Sequence, residues 1–565
     1  RHLPLRQGQA LLIQGDCAKE TQPAMARYYY QQALDLIGHG APLLAVRCWQ
    51  GLGDVAAGSA AADPAVAEAA YERAQTMFDS IRRTLHSHGH QAGFAMQKEA
   101  LNRALLASLH QQVGQESKLL RWVERSKAAA LVELLREQPV DETLDDKLRD
   151  LIEERERLAA QIDQRLHRMS VSAPSTATPQ RGPQLVAHNR YQRGQIGELR
   201  RRLQWVEEQL QRARHPAQTW REGETLAAAQ IQVQIGREGT LLAYYEAGDQ
   251  LAAVVVQGQQ ITARLLNTTV DEVARQWQQT RRFVLRPQTP LEAVNARLGR
   301  LYDLLLRPLE DVLESSERLL ILPHRILYQI PVAALYDTVT HRYALEQWIC
   351  YYAPSATIWS WCQQRRTAVE AASLLVGYPG EPDQADYLPA VRGEIEAIAE
   401  LVVQPRLLFG AEATAAQVLL SMRHKRLVHL AGHAFYDGER PLDSGMPLAE
   451  GRWLRAADLY LRYGMLDGAL VVLSGCETGK GHAAGGEVLG LVSAFLYAGA
   501  RTILSGLWKV DDVATAALMG RFYEELAADQ GAAVALREAQ LALLANRETA
   551  APYFWAPFTI NGAGS

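Results

Sequence analysis

The sequence predicts an all-α helical-repeat region followed by an α/β region built on a mostly parallel sheet flanked by helices. Three observations carry this. Residues 1–140 place Ala and Leu at helical spacing with almost no strand signal. From Ser373 onward, short apolar runs alternate with helical patterns, as strand–helix–strand units require. Between the two lies a strongly charged stretch broken by a Pro/Ser/Thr-rich run that has no core of its own to bury.

Within 1–140, "ARYYYQQALDLI" from Ala26 and "AAYERAQTMFDSI" from Ala69 resemble each other, with Ala33 and Ala74 aligned 41 residues apart. "LRWVERSKAAALVELL" from Leu120 has similar character. Small residues beside aromatic ones let neighbouring helices approach closely. The spacing exceeds the 34 of a tetratricopeptide repeat, so the expectation is degenerate tetratricopeptide-like hairpins, with a non-repeating bundle as the alternative. Residues 141–222 read as a charged antiparallel coiled-coil hairpin with a disordered linker near 170–187. Glu interspersed along its Arg-rich face makes that face a solvated surface, and no direct nucleic-acid binding is expected.

Residues 223–345 form the next unit, a strand-rich supporting subdomain. "TLLAYYEAGDQLAAVVVQGQQITARLL" reads as three strands separated by Gly-containing turns. A helix over 294–313 and a buried strand in "ERLLILPHRILYQIPVAAL" follow. Residues 346–565 complete the α/β region. Its strands are "SLLVGYP", "RLLFG", "RLVHLAGH", "ALVVLSGC" and "RTILSGLW", and helices are expected at 391–403, 414–422, 485–498 and 512–527.

Composition bounds the function. A net charge of −4 gives no general attraction to nucleic acid or membrane, and the apolar runs are too short to span a bilayer. The five cysteines (Cys17, Cys48, Cys350, Cys362 and Cys476) are scattered and form no CxxC pair, which fits a reducing, cytoplasmic setting. No signal peptide is visible, although the chain opens at Arg1 in mid-pattern, as a processed, truncated or trimmed N-terminus would. There is no G-x-x-x-x-G-K-[ST], no H-E-x-x-H and no clustered zinc ligands, so no cofactor and no metal are expected.

The chemistry concentrates at two strand ends. Ligands of open α/β sheets bind beyond the carboxyl ends of the strands. "RLVHLAGH" ends in His433, and "ALVVLSGC" ends in Cys476 before the glycine-rich "ETGKGHAAGGE". If the strands are parallel neighbours, the imidazole and the thiol leave the same edge, the pairing that thiol catalysis requires. A buried cysteine that merely packs is the plainer alternative. His482, in the glycine-rich loop, is a rival base. His429, inside the strand, reads as a core histidine, and Asp437 and Asp443 read as solvated turn residues.

Caspases place a His about 50 residues before the cysteine, and here the interval is 43. The text that matches best is "ERLLILPHRILYQIPVAAL", "YLPAVRGEIEAI", "LVHLAGHAFYDGERPLDSGMPLAEG", "LVVLSGCETGKG", "GGEVLGLVSAFLYAGARTILSGLWKVDDVAT" and "PYFWAPFTING". Spanning residues 300 to 562, it resembles the CHAT family, caspase-like peptidases related to separase and often joined to tetratricopeptide repeats. One departure is Gly432-His433-Ala434, where family members commonly have Cys-His-Gly; alanine still offers a backbone N–H.

The resemblance implies a caspase-like fold and a cysteine endopeptidase. Cys476 would be the nucleophile and His433 the general base and acid, with backbone N–H groups near Cys476 and Ala434 as the oxyanion hole. By likeness to a separase Trp-x-Val-x-Asp stretch, Trp508, Asp511 and Asp512 are candidates for a pocket holding a basic substrate side chain. Asp512 fits the acidic position, and Asp511 fits a helix N-cap. The 223–345 strands would be an inactive counterpart that buttresses the active half. The expected partners are a protein substrate and a regulatory protein or ribonucleoprotein bound by the repeats, in a setting such as bacterial defence. The alternative is a repeat-based scaffold that cleaves nothing.

Overall fold

The computed structural model describes residues 3–136 and 225–565 apart from 38–40, 59–62, 85–90, 113, 237–238, 314, 366–369, 385–386, 438–440, 461, 463, 476–481 and 485–486. Between 137 and 224 it describes only isolated residues, so the expected coiled-coil hairpin and linker lie outside the described part.

The N-terminal part is a run of helices, α1 (Leu3–Ala18), α2 (Pro23–Ile37), α3 (Pro42–Gly58), α4 (Pro64–Thr84), α5 (Gln91–His110) and α6 (Glu116–Arg136), each packed on the next. The packing repeats. Tyr30 of α2 lies over Gly15 of α1 and Gly51 of α3, where an added Cβ would sit 2.5 and 2.4 Å from its ring. Tyr71 of α4 lies over Gly53 in the same way, at 2.4 Å. Each phenol donates to an aspartate at 2.9 Å, Tyr30 to Asp16 and Tyr71 to Asp54. The two tyrosines are 41 residues apart, the interval the sequence predicts, so this is a helical-repeat region.

The rest of the chain is built on one sheet of eleven strands. They are β1 (Gly239–Ala247), β2 (Gln250–Gln257), β3 (Gln260–Leu265), β4 (Arg318–Leu322), β5 (Ile349–Tyr352), β6 (Glu370–Tyr378), β7 (Pro405–Phe409), β8 (Lys425–Gly432), β9 (Leu470–Ser474), β10 (Thr502–Gly506) and β11 (Phe558–Gly562). Their spatial order is β3-β2-β1-β4-β5-β11-β10-β9-β8-β6-β7. Segments 223–345 and 346–565 therefore contribute to a single continuous sheet, joined through β4 and β5.

β1, β4, β5 and β11 run one way, and β10, β9, β8, β6 and β7 run the other; the direction reverses at the antiparallel β10–β11 pair. The apolar runs of β1, β4 and β9 are buried because helices cover both faces, so strand identity shows in the sequence as unbroken hydrophobicity. Helices α7 (Ala228–Ile235), α8 (Val270–Val284), α9 (Leu291–Leu305), α10 (Ala356–Gln364), α11 (Ala390–Ala399), α12 (Leu491–Ala498), α13 (Asp512–Ala527) and α14 (Ala532–Ala545) supply that cover. The helix expected over 485–498 starts only at Leu491; 487–489 instead pairs antiparallel with 482–484.

The repeats are locked to the sheet through buried charge. Glu124 of α6 is fully buried and accepts from the Ala356 and Thr357 amides, at 2.9 and 3.0 Å, at the N-terminus of α10. Arg325 reaches Glu99 of α5 at 3.2 Å and Glu246 of β1 at 3.4 Å, and His324 Nε2 lies 3.0 Å from Glu246.

Candidate active site

Strands β8 and β9 are parallel neighbours, with Leu430 opposite Leu473 and Ala431 opposite Ser474. His433 is two residues beyond Ala431, and position 476 is two residues beyond Ser474. The two candidate residues thus follow matched points on adjacent strands, at the same sheet edge. Cys476 itself lies outside the described residues, as does most of the loop after it.

Up to that boundary the strand ends are in close contact. Gly475, the last described residue before the cysteine, would with an added Cβ meet the Gly432 carbonyl oxygen at 2.8 Å and the Ala434 Cβ at 3.2 Å. Gly432 has φ +153, and an added Cβ there would lie 2.5 Å from the Tyr378 carbonyl oxygen. These approaches demand glycine and explain its place at both ends. The half-buried His433 ring has Nε2 beside the backbone at Gly380, in the turn after β6.

A cleft open to solvent is lined in part by these glycines. It is bounded by Gly432, Ser474 and Gly475 on one side, by α11, and by Trp508, Val510 and Thr515 around the start of α13. Trp508 is buried, and its Nε1 donates to the Tyr553 carbonyl at 3.1 Å, so the indole forms a fixed wall.

Asp511 is the N-cap of α13: one carboxylate oxygen accepts from the Val513 and Ala514 amides at 3.0 and 3.2 Å. Asp512 is the first residue of that helix, and its side chain is outside the described residues. His482 begins the short 482–484 strand, which pairs antiparallel with 487–489. His429 is fully buried, with Nδ1 2.9 Å from the Tyr523 hydroxyl. The Asp437 amide donates to Ser444 at 3.1 Å, within the loop after His433.

One residue at the cleft escaped the sequence reading. Glu394 of α11 is 9% exposed and is among the residues lining the cleft. Its Oε1 lies 3.2 Å from His429 Nε2, within ion-pair reach but off the line of a hydrogen bond, and accepts no hydrogen bond among the described residues. The signal was present: Val391, Ile395 and Ile398 make the buried stripe of this helix, and Glu394 falls within it.

A second charged cluster, formed by Glu99, Glu246 and His324, lies at the joint between repeats and sheet. Its ligand-type atoms converge, but the Arg325 guanidinium already faces both carboxylates there.

Residues 295–563 match the family model described as CHAT domain. Among curated proteins, tetratricopeptide repeat protein 28 of Mus musculus is 26% identical over 326 residues, which is 47% of this chain and 13% of that protein. Its Homo sapiens counterpart is 26% identical over 324 residues, with the same shares. The chain thus spans a small fraction of the length of the curated relatives it matches. Among solved structures, the Saccharomyces cerevisiae separase–securin complex gives a TM-score of 0.41 at 10% identity over 99% of this chain and 53% of that chain. The Arg specific cysteine proteinase gingipain R, from Porphyromonas gingivalis, gives 0.33 at 10% identity over 49% and 68%.

Proposed function

We propose, from the premise that residues 295–563 form a CHAT domain, that this chain is a caspase-like cysteine endopeptidase acting through Cys476 and His433. The observation that supports it most is the parallel β8–β9 register, which gives His433 and position 476 equal offsets from a paired Ala431 and Ser474.

In this reading His433 takes the Cys476 proton, and the thiolate attacks the scissile carbonyl carbon. The oxyanion is held by backbone N–H groups near Cys476 and Ala434, a contribution of about 3 kcal/mol per donor. The C–N bond then breaks, and the amine leaves with the proton from His433. His433 next deprotonates a water that hydrolyses the thioester, releasing the acid and restoring the thiol. Cleavage follows a basic residue, and the helical repeats bind the regulatory protein or ribonucleoprotein that controls the site.

A peptide library cleaved by the wild type but not by Cys476→Ala tests the reading. If a thiol-directed peptide probe fails to label Cys476 even with the repeats' partner bound, the chain is a scaffold instead.

A further inference from the structure

The hairpin that follows position 476 depends on its surroundings for order. Strands 482–484 and 487–489 pair with each other and, among the described residues, form a two-stranded sheet apart from the eleven-stranded one. An isolated hairpin this short is not stable in water, so its order comes from what packs on it. Strand 487–489 packs against α6 of the repeats and against α12. Strand 482–484 packs against α5 and against the helical turn Arg325–Gln329. The repeats therefore touch both strands.

Helix α6 also grips that turn. Lys127, fully packed in the interior, donates from Nζ to the carbonyl of Pro323, two residues before the turn begins. Glu124, one helical turn earlier, takes the Ala356 and Thr357 amides. A slid or rotated α6 would strand two buried charged groups, so the helix has one docked register rather than a continuum of positions. Strain is stored in the same turn: Arg325 has φ +50, a left-handed conformation that a residue with a Cβ keeps only where its surroundings enforce it. Its ion pairs to Glu99 of α5 and Glu246 of β1 are that enforcement.

We infer that α6 is the coupling element between the repeats and the segment after the nucleophile. Docked through Glu124 and Lys127, it keeps the 482–489 hairpin ordered, and a partner that shifts the repeats releases it. Residue 482 is only six positions after Cys476, so the hairpin is the far anchor of a chain segment whose near anchor is β9. Fixing both ends of so short a segment removes most of its conformational freedom. This deepens the regulatory part of the peptidase reading above, and only its effect on turnover rests on that reading.

The test is hydrogen–deuterium exchange, followed by mass spectrometry, on the full chain as wild type, K127M, E124A, E99Q and Y71F. The expected result is that the 482–489 amides are protected in the wild type and exchange about 10-fold faster in K127M and E124A, with β4 unchanged. Y71F weakens the repeats at α4 but leaves both α6 bonds in place, so it leaves the hairpin as in the wild type. E99Q frees Arg325 and gives a smaller rise, about 3-fold; it decides if the two α6 variants misfold. An unprotected hairpin in the wild type overturns the inference, as does unchanged hairpin exchange in K127M and E124A, or β4 accelerating as much as the hairpin. Peptide turnover separates the two readings. Cys476-dependent cleavage with an unmoved hairpin in K127M keeps the peptidase and ends the coupling. A hairpin released in K127M with no Cys476-dependent cleavage in any chain keeps the coupling and ends the peptidase.

Discussion

Ala431 faces Ser474 across the parallel β8–β9 pair, and two residues farther along each strand stand His433 and Cys476 in the sequence. The pairing brings residues 43 apart in the chain to one sheet edge. A Cβ added at Gly475 would meet the Ala434 Cβ at 3.2 Å, so the neighbours of the pair lie close together.

That approach makes Gly475 a position that resists substitution. In Gly475→Ala the new Cβ meets the Gly432 carbonyl at 2.8 Å, and one strand end must move. The expected outcome is a destabilisation of about 1–3 kcal/mol by chemical denaturation and a larger proportional loss of turnover. Gly520→Ala, in mid-α13 with nothing within 4 Å, is the contrast: it stabilises by about 0.5–1 kcal/mol.

The repeats depend on tyrosine over glycine. Truncating the fully packed ring in Tyr71→Ala is expected to cost about 3–5 kcal/mol of repeat stability. Tyr71→Phe, which removes only the hydrogen bond to Asp54, costs about 1 kcal/mol. Thermal melts of the three chains order them wild type, Phe, Ala.

The docking of repeats on the sheet turns on Glu124. Its carboxylate serves two amides at the N-terminus of α10, so Glu124→Ala strands those donors in the interior. A loss of about 2–3 kcal/mol is expected. Hydrogen exchange at Ala356 and Thr357 should rise in the variant.

Acid should loosen the same joint. Burial pushes His324 down to about 4, against the favourable pull of Glu246, and Glu246 is held below the usual carboxylate range by His324 and Arg325 despite its burial. The unfolded chain binds more protons than the folded one from about pH 6.5 downward, so stability falls as pH falls through that window. For His324 alone the loss between neutral pH and pH 5 is about 2 kcal/mol. Melts at pH 7 and 5 check it: His324→Asn should flatten the slope.

Much of this was legible in the sequence, and for identifiable reasons. The strands were readable because each is an unbroken apolar run buried on both faces, and the repeats because Tyr30 and Tyr71 recur beside small residues. The edge shared by β8 and β9 followed from strand alternation. The 487–489 strand was not legible: its residues suit a helix start, and only pairing with 482–484 makes them extended. The burial of Glu394 is less legible, because a charged residue in an amphipathic helix reads as solvent-facing unless it falls in the apolar stripe, as it does here.

The central claim is that the β8–β9 edge is a thiol–imidazole active site. The most direct measurement is cleavage of a fluorogenic peptide library by wild type, Cys476→Ala and His433→Ala, with the repeats' partner supplied. Turnover in the wild type, falling by about 1,000-fold or more in both variants, is the predicted result. Cleavage that survives Cys476→Ala, or a wild type that cuts nothing and takes up no thiol-directed peptide probe at Cys476, would contradict it.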